Sequence, residues 1–183
     1  MKKYGFVNDS QLAKVMKKAD MKIYGMTDDN MLIVCNSYFV VKIYPDMASA
    51  TAKTMLSHIG RIPKPGECFR AYGPGDVSEF SMEGLLKFFD GTGTDVYDTK
   101  LLTEYETGKY ARLYDYRDGF VILNDEYSKM INECCRAYQV KPGRASVVTF
   151  ERDNEKAVIL PMNVRCPEYV TSHSEIAKRA AAY

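Results

Sequence analysis

The chain has 183 residues, 46% of them hydrophobic, and a formal net charge of +1. That length suits one domain or two intimate subdomains with ample material for a core, and the near-neutral charge marks no nucleic-acid protein by composition alone. Its five cysteines are an odd number, with Cys134 and Cys135 adjacent and no CxxC pair, which fits reduced intracellular thiols better than a disulfide framework.

Charge is spread unevenly along the chain. Residues 1–60 hold eight Lys/Arg against five Asp/Glu, residues 61–118 eight against eleven, and residues 119–183 nine against eight. Met-Lys-Lys leads into Tyr-Gly and a polar helix without a signal-peptide core. No apolar run approaches the roughly 20 residues of a membrane span. A soluble protein of the bacterial cytoplasm, with no membrane partner, is expected.

In chain order, residues 2–7 read as a short strand. Asn8, Asp9 and Ser10 are N-cap types, and Leu12, Val15, Met16 and Ala19 form one apolar stripe of a helix ending near Ala19. Its open side carries Lys14, Lys17 and Lys18. Met21–Thr27 reads as a strand. Met31–Asn36 and Tyr38–Tyr44 form a hairpin about Asn36-Ser37. Pro45 ends that hairpin, and Asp46 is placed to cap a helix running to about His58 and closed by Gly60.

Residues 61–79 are rich in Pro and Gly, with one short strand near Phe69–Tyr72. Ser81 opens a brief helix. Asp90–Asp95 is a glycine-rich turn, and Val96–Tyr116 is extended with a bend at Gly108. Asp118-Gly119 makes a second hairpin signal. Asn124 or Asp125 caps a helix whose stripe of Tyr127, Met130, Ile131, Cys134, Cys135 and Tyr138 holds helical period for three turns. Ala145–Arg152 and Lys156–Val164 flank a turn at Asp153-Asn154-Glu155. Ser172 and Glu175 match a capping box for a C-terminal helix.

Gly5-Phe6-Val7-Asn8-Asp9 before one helix is echoed by Gly119-Phe120-Val121 and Asn124-Asp125 before another. The expected fold class is therefore α+β: a duplicated β-α-β-hairpin unit, both helices on one face of a joined sheet. Residues 1–60 form the first unit, 61–108 a loop-rich insertion, 109–165 the second unit and 166–183 a helical tail, all in one compact domain.

Several chemistries are weighed and set aside. His58 and His173, the sole histidines, stand in no nucleophile context, and Cys134-Cys135 suit packing on a buried stripe. Asp90, Asp95 and Asp98 lack the ligand pattern of a calcium loop. Gly73-Pro74-Gly75-Asp76 and Gly91-Thr92-Gly93-Thr94 lack the Lys-Ser/Thr of a P-loop. No catalytic residue, metal or cofactor is expected.

Two surfaces remain. Lys14, Lys17 and Lys18 are candidates for nucleic-acid contact, against an ordinary solvated helix face. Strand alternation sets Tyr110, Arg112, Tyr114 and Tyr116 on one face, with Ala111 and Leu113 on the other. If Ala111 and Leu113 face the core, the Tyr/Arg ridge, extended by Arg117, faces out as a partner-binding surface of residue types enriched at interfaces. The alternative is a face packed against the middle of the chain.

Asn124–Arg165, with Val158-Ile159-Leu160-Pro161-Met162 and the following Arg165, resembles the closing unit of a bacterial sliding-clamp (DNA-clamp) domain. The resemblance implies a clamp-like arrangement whose helices face duplex DNA, with any ring closed by homo-oligomers. As a whole the chain also resembles small accessory proteins of Firmicutes phages and mobile elements, including type II-A anti-CRISPR inhibitors of Cas9. That likeness implies a non-enzymatic inhibitor whose partner is Cas9 with its guide RNA, acting by blocking target DNA engagement or cleavage. The alternative is a clamp-like DNA-binding accessory protein of replication or recombination.

Overall fold

A computed structural model describes residues 5–73, 75–116, 119–132, 136–141 and 146–163. It is a mixed α/β fold dominated by antiparallel sheet. The elements are α1 (Asp9–Lys18), β1 (Lys22–Met26), β2 (Leu32–Cys35), β3 (Phe39–Ile43), α2 (Ser49–Ile59), β4 (Cys68–Gly73), β5 (Asp76–Glu79), α3 (Glu83–Leu86), β6 (Thr94–Asp95), β7 (Tyr97–Glu106), β8 (Lys109–Tyr116), β9 (Gly119–Asn124), α4 (Asp125–Ser128), β10 (Arg136–Gln139), β11 (Val148–Arg152) and β12 (Glu155–Ile159).

Nine strands form one sheet in the order β5-β4-β1-β2-β3-β12-β11-β10-β6, and β7-β8-β9 form a second. Two three-stranded meanders, β1-β2-β3 and β10-β11-β12, meet where β3 pairs antiparallel with β12. Asn8 caps α1, its Oδ1 accepting from Gln11 N, and Asn124 caps α4, its Oδ1 accepting from Glu126 N. Both caps satisfy an amide that the helix itself leaves unpaired.

Alternation along β1 sends Tyr24 and Met26 to one face of the large sheet and Ile23 to the other. The first face carries the main core. Leu12, Val15 and Met16 of α1 and Met55 of α2 cover half of it, and Tyr114, Val121 and Leu123 of the small sheet cover the other half. The reverse face is a smaller cluster closed by Leu85 and Phe89. Ala111, Leu113, Phe120 and Ile122 form a third cluster on the far side of the small sheet.

The helix expected from Asn124 to Tyr138 is a correction. It lasts four residues, Asp125–Ser128, and Arg136–Gln139 is strand β10. The stripe through Met130 and Ile131 has helical period, yet the N-terminal segment captures this backbone. Val7 bridges Ile131, Asn8 N donates to Met130 O at 2.7 Å, and Asn132 N donates to Phe6 O at 3.0 Å. Those bonds replace the i→i−4 ladder, so the helix stops. Cys134 and Cys135 lie outside the described residues, as does the expected C-terminal helix. The strand expected over residues 2–7 is reduced, among described residues, to the bridge at Val7.

The 61–108 stretch is woven into both sheets. β4 pairs with β1, and the β7–β8 hairpin crosses the boundary placed at 108.

Asp46 does not cap α2. That role falls to Asp9 of α1, whose carboxylate oxygens accept from Ala50 N at 2.6 Å and Thr51 N at 2.9 Å. The C-terminal end of α2 is closed by Gly60 in the left-handed region, φ +75, where a Cβ would be strained. Replacing Asp9 with alanine should cost about 1–2 kcal/mol, read as a lower denaturant midpoint with unchanged slope. A midpoint within error of the native one would show that the cross-helix cap contributes nothing.

Candidate functional site

The alternation expected of β8 holds, but its ridge is not an exposed surface. Ala111 and Leu113 face the third cluster, and the opposite side packs onto the large sheet. Tyr114 is 4% exposed and meets the Phe150 ring edge-on at 5.6 Å between centroids. Tyr116 packs against the main core. Tyr110 alone of the described ridge residues is an exposed large side chain, and Arg117 lies outside the described residues. The expectation failed because β8 has two buried faces.

Arg112 lies at the centre of an ion-pair chain lining a cleft of about 650 Å³ between the sheets. Its Nε donates to Asp125 Oδ1 at 3.0 Å and its Nη1 to Asp98 Oδ2 at 3.0 Å. Lys129 also pairs with Asp125, Lys100 with Asp98, and Arg136 with Asp95. Burial pushes the Asp98 carboxyl up, but hydrogen bonds from Lys100 and then Arg112 outweigh it and hold the group below its ordinary value. The Arg112 guanidinium is pushed down by burial, yet Asp98 and Asp125 raise it overall. Each charge in this group has a partner on a neighbouring strand, on α4 or in its own turn, four cations sharing three carboxylates. Arg112 ties β7 and β8 to the start of α4, and Arg136 ties β10 to β6.

These pairings also settle the acidic turn. Asp95 and Asp98, weighed above as oxygen ligands, are taken by Arg136 and Arg112. Among the described residues no cluster of three His, Cys, Asp or Glu could hold a metal ion. Burial pushes the Cys35 thiol up to about 12 and the Cys68 thiol up to about 11, which keeps both protonated and poorly nucleophilic.

The helix layer is electrostatically different. Lys14, Lys17 and Lys18 are all exposed on α1, as expected from its stripe. Lys18 pairs with Glu126 at 3.2 Å. Lys14 and Lys17 meet no carboxylate among the described residues. Asp9 at the start of α1 caps the start of α2, and Lys17 near the end of α1 shares a pocket with Ser57 and His58 near the end of α2. The two helices therefore run side by side and parallel. This adds Lys53 of α2, exposed and without a carboxylate partner among the described residues.

Sequence reading missed Lys22 and Lys53 and set His58 aside as an isolated histidine. Lys22 is 8% exposed on β1. His58 Nδ1 and the Tyr24 hydroxyl share a hydrogen bond at 2.8 Å, and burial raises the Tyr24 phenol, which keeps its proton. The His58 imidazole is held below its ordinary value by burial first, then by Lys22 and Lys17. No local sequence signal joins these residues, because their meeting depends on strand register and helix packing.

No family model matches the chain, and no curated protein matches it. Among solved structures it is similar to the crystal structure of a "Putative DNA polymerase III beta subunit" from Eubacterium rectale ATCC 33656, at TM-score 0.42 and 7% identity. The overlay covers 85% of this chain and 64% of that one, and so distant a likeness carries no function with it.

Proposed function

We propose that this chain is a non-enzymatic, clamp-like nucleic-acid-binding module that lays the α1–α2 layer along the phosphates of a duplex. The carrying observation is the contrast in charge pairing. Between β7 and β12, Lys100, Lys109, Arg112, Lys129, Arg136, Arg152 and Lys156 each meet a carboxylate. On the helix layer Lys14, Lys17 and Lys53 meet none among the described residues, and residues 1–60 contain no glutamate. Unpaired cations spaced along two parallel helices suit the repeated negative charge of a phosphate backbone.

In this reading the runs Val7-α1-β1-β2-β3 and β9-α4-β10-β11-β12 are two copies of one β-α-β-β-β unit. The second copy has lost its helix to a single turn, and β8–β9 take its place over the sheet. One chain then presents one cationic layer, and encirclement of DNA would require further copies. Among the described residues no helix is long and apolar enough to cross a membrane.

A duplex mobility-shift series tests this. Three phosphate contacts predict a slope of about −2.7 in log affinity against log salt. Reversing Lys14 and Lys53 to Glu should remove most of that slope and weaken binding by more than about tenfold at low salt. Absence of binding at low salt, or an unchanged slope in the double variant, would overturn the proposal.

The rival, an inhibitor of Cas9 with its guide RNA, retains Tyr110 as its one exposed described ridge residue. Capture of that complex by a chain with no duplex affinity, lost on Tyr110→Ala, would favour it.

A further inference from the structure

Where α1 and α2 end together, Lys17, Lys22, Ser57, His58, Ala71 and Gly73 enclose a pocket of about 240 Å³. At about 30 Å³ per water in the liquid, it has room for a tetrahedral oxyanion and part of its hydration shell. No carboxylate lines it.

Lys22 is its unusual member. β1 pairs with β4 so that Lys22 stands opposite Ala71, and alternation puts Lys22 on the same face as Tyr24, beneath the helices. The residue is 8% exposed, and its ammonium group has no ion pair or hydrogen bond among the described residues. Buried charges are ordinarily paired. The other titratable groups lining the pocket are Lys17 and His58.

A simpler role is neutralisation of the two helix ends. Each C-terminus carries about −0.5 charge, so both together offset about one ammonium. Two are present, leaving about one positive charge over. Exposed Lys17 suffices for the helix ends, and Lys22, its stem buried on the neighbouring strand, brings a second ammonium to the pocket.

Donor geometry narrows the ligand. The Ser57 hydroxyl donates to Thr54 O at 2.6 Å, so its proton is committed. The Tyr24 hydroxyl shares a hydrogen bond with His58 Nδ1, and in the tautomer in which the hydroxyl donates, Nε2–H is the ring's free donor. Two ammonium groups and one N–H, with no carboxylate and only the Ser57 hydroxyl oxygen as an acceptor side chain, favour an anion rich in acceptor oxygens.

We propose that this pocket binds a phosphate group, held by Lys17, Lys22 and His58. The inference goes beyond duplex binding, because a free phosphate or phosphate ester satisfies the same donors as a backbone phosphate.

Histidine NMR on the full chain, with inorganic phosphate as the probe, tests it. Saturable movement of the His58 imidazole signals is expected, with a dissociation constant near about 1 mM and a rise in the His58 pKa as an anion joins the Lys17, Lys22 and Tyr24 groups facing it. Lys22→Met keeps the aliphatic stem and should weaken binding at least about tenfold. Lys17→Met, at an exposed position, gives the same reading should the first variant fold poorly. A linear, non-saturating response, or saturation unchanged in the folded variants, would overturn the proposal.

A duplex without terminal phosphates separates the sources. If it moves the His58 signals, the pocket seats a backbone phosphate. If phosphate saturates the pocket and the duplex leaves His58 unmoved, the ligand is a free phosphate or ester. If the native chain binds duplex while phosphate fails to saturate it, the pocket is rejected and the helix-layer reading is left intact.

Discussion

Replacing Arg112 with methionine is expected to lower the unfolding free energy by about 3–5 kcal/mol at neutral pH. Its side chain is 20% exposed and holds Asp98 on β7 and Asp125 at the start of α4. The Asp125 side chain is 3% exposed, so loss of the guanidinium leaves a buried carboxylate with Lys129, itself well exposed, as its remaining ion-pair partner. The penalty is mainly that of the abandoned charge, because methionine fills much of the vacated volume.

The loss should also depend on pH. Although burial raises Asp98, bonds from Lys100 and Arg112 bring its carboxyl below the ordinary value in the folded protein. A depressed folded pKa contributes stability above the unfolded value, about 3.9, and that contribution disappears as pH falls through the folded value. The gap between native protein and variant should therefore be full at pH 7 and narrow below about pH 4. Denaturant midpoints at pH 7 and pH 3 check both halves. A gap under about 1 kcal/mol at pH 7 would mean that the cleft behaves as a surface ion pair.

Local signals in the sequence carried far through the strands. Asn36-Ser37 does turn β2 into β3, with Asn36 Oδ1 accepting from Tyr38 N and Phe39 N. Gly108 and Asp153-Asn154 likewise sit between paired strands, Gly108 at φ +72 and Asp153 at φ +55. These features are written within a few residues, by turn chemistry and alternation. What failed was decided at long range. Met130 and Ile131 fit a helix in isolation, but the backbone at Phe6–Asn8 takes the Met130 carbonyl and the Asn132 amide. β10 has no β-branched residue, and its extended form is imposed by β11 on one side and β6 on the other.

The candidate sites divide in the same way. The α1 lysines were legible because a helix turns its polar residues outward at a fixed period. The ridge was misjudged because alternation tells which residues share a face, and is silent on whether that face meets water or a second sheet. Tyrosine makes the error easy, since its ring buries as readily as it binds. Lys22, Tyr24 and His58 meet only once β1 is in register with β4 and α2 lies over them, which no short window contains.

Tyr114→Ala separates the two roles proposed for that strand. As an interface residue, its loss would leave stability unchanged and reduce affinity for a partner. The structure gives it a core position, 4% exposed in the cluster that joins the two sheets. Truncation there should cost about 3–5 kcal/mol, a large share of the roughly 5–15 kcal/mol that holds a domain together. Part of the loss is specific to the edge-on contact with Phe150. A double-mutant cycle with Phe150→Leu should return a coupling of about 0.5–1.5 kcal/mol. Combined with Arg112→Met, the losses should fall short of additive, because both substitutions open the same cleft. Duplex affinity of the fraction that remains folded should match the native protein, since the cationic helix layer contains neither residue. Full stability of Tyr114→Ala with lost partner binding would reverse the assignment and restore the outward-facing ridge.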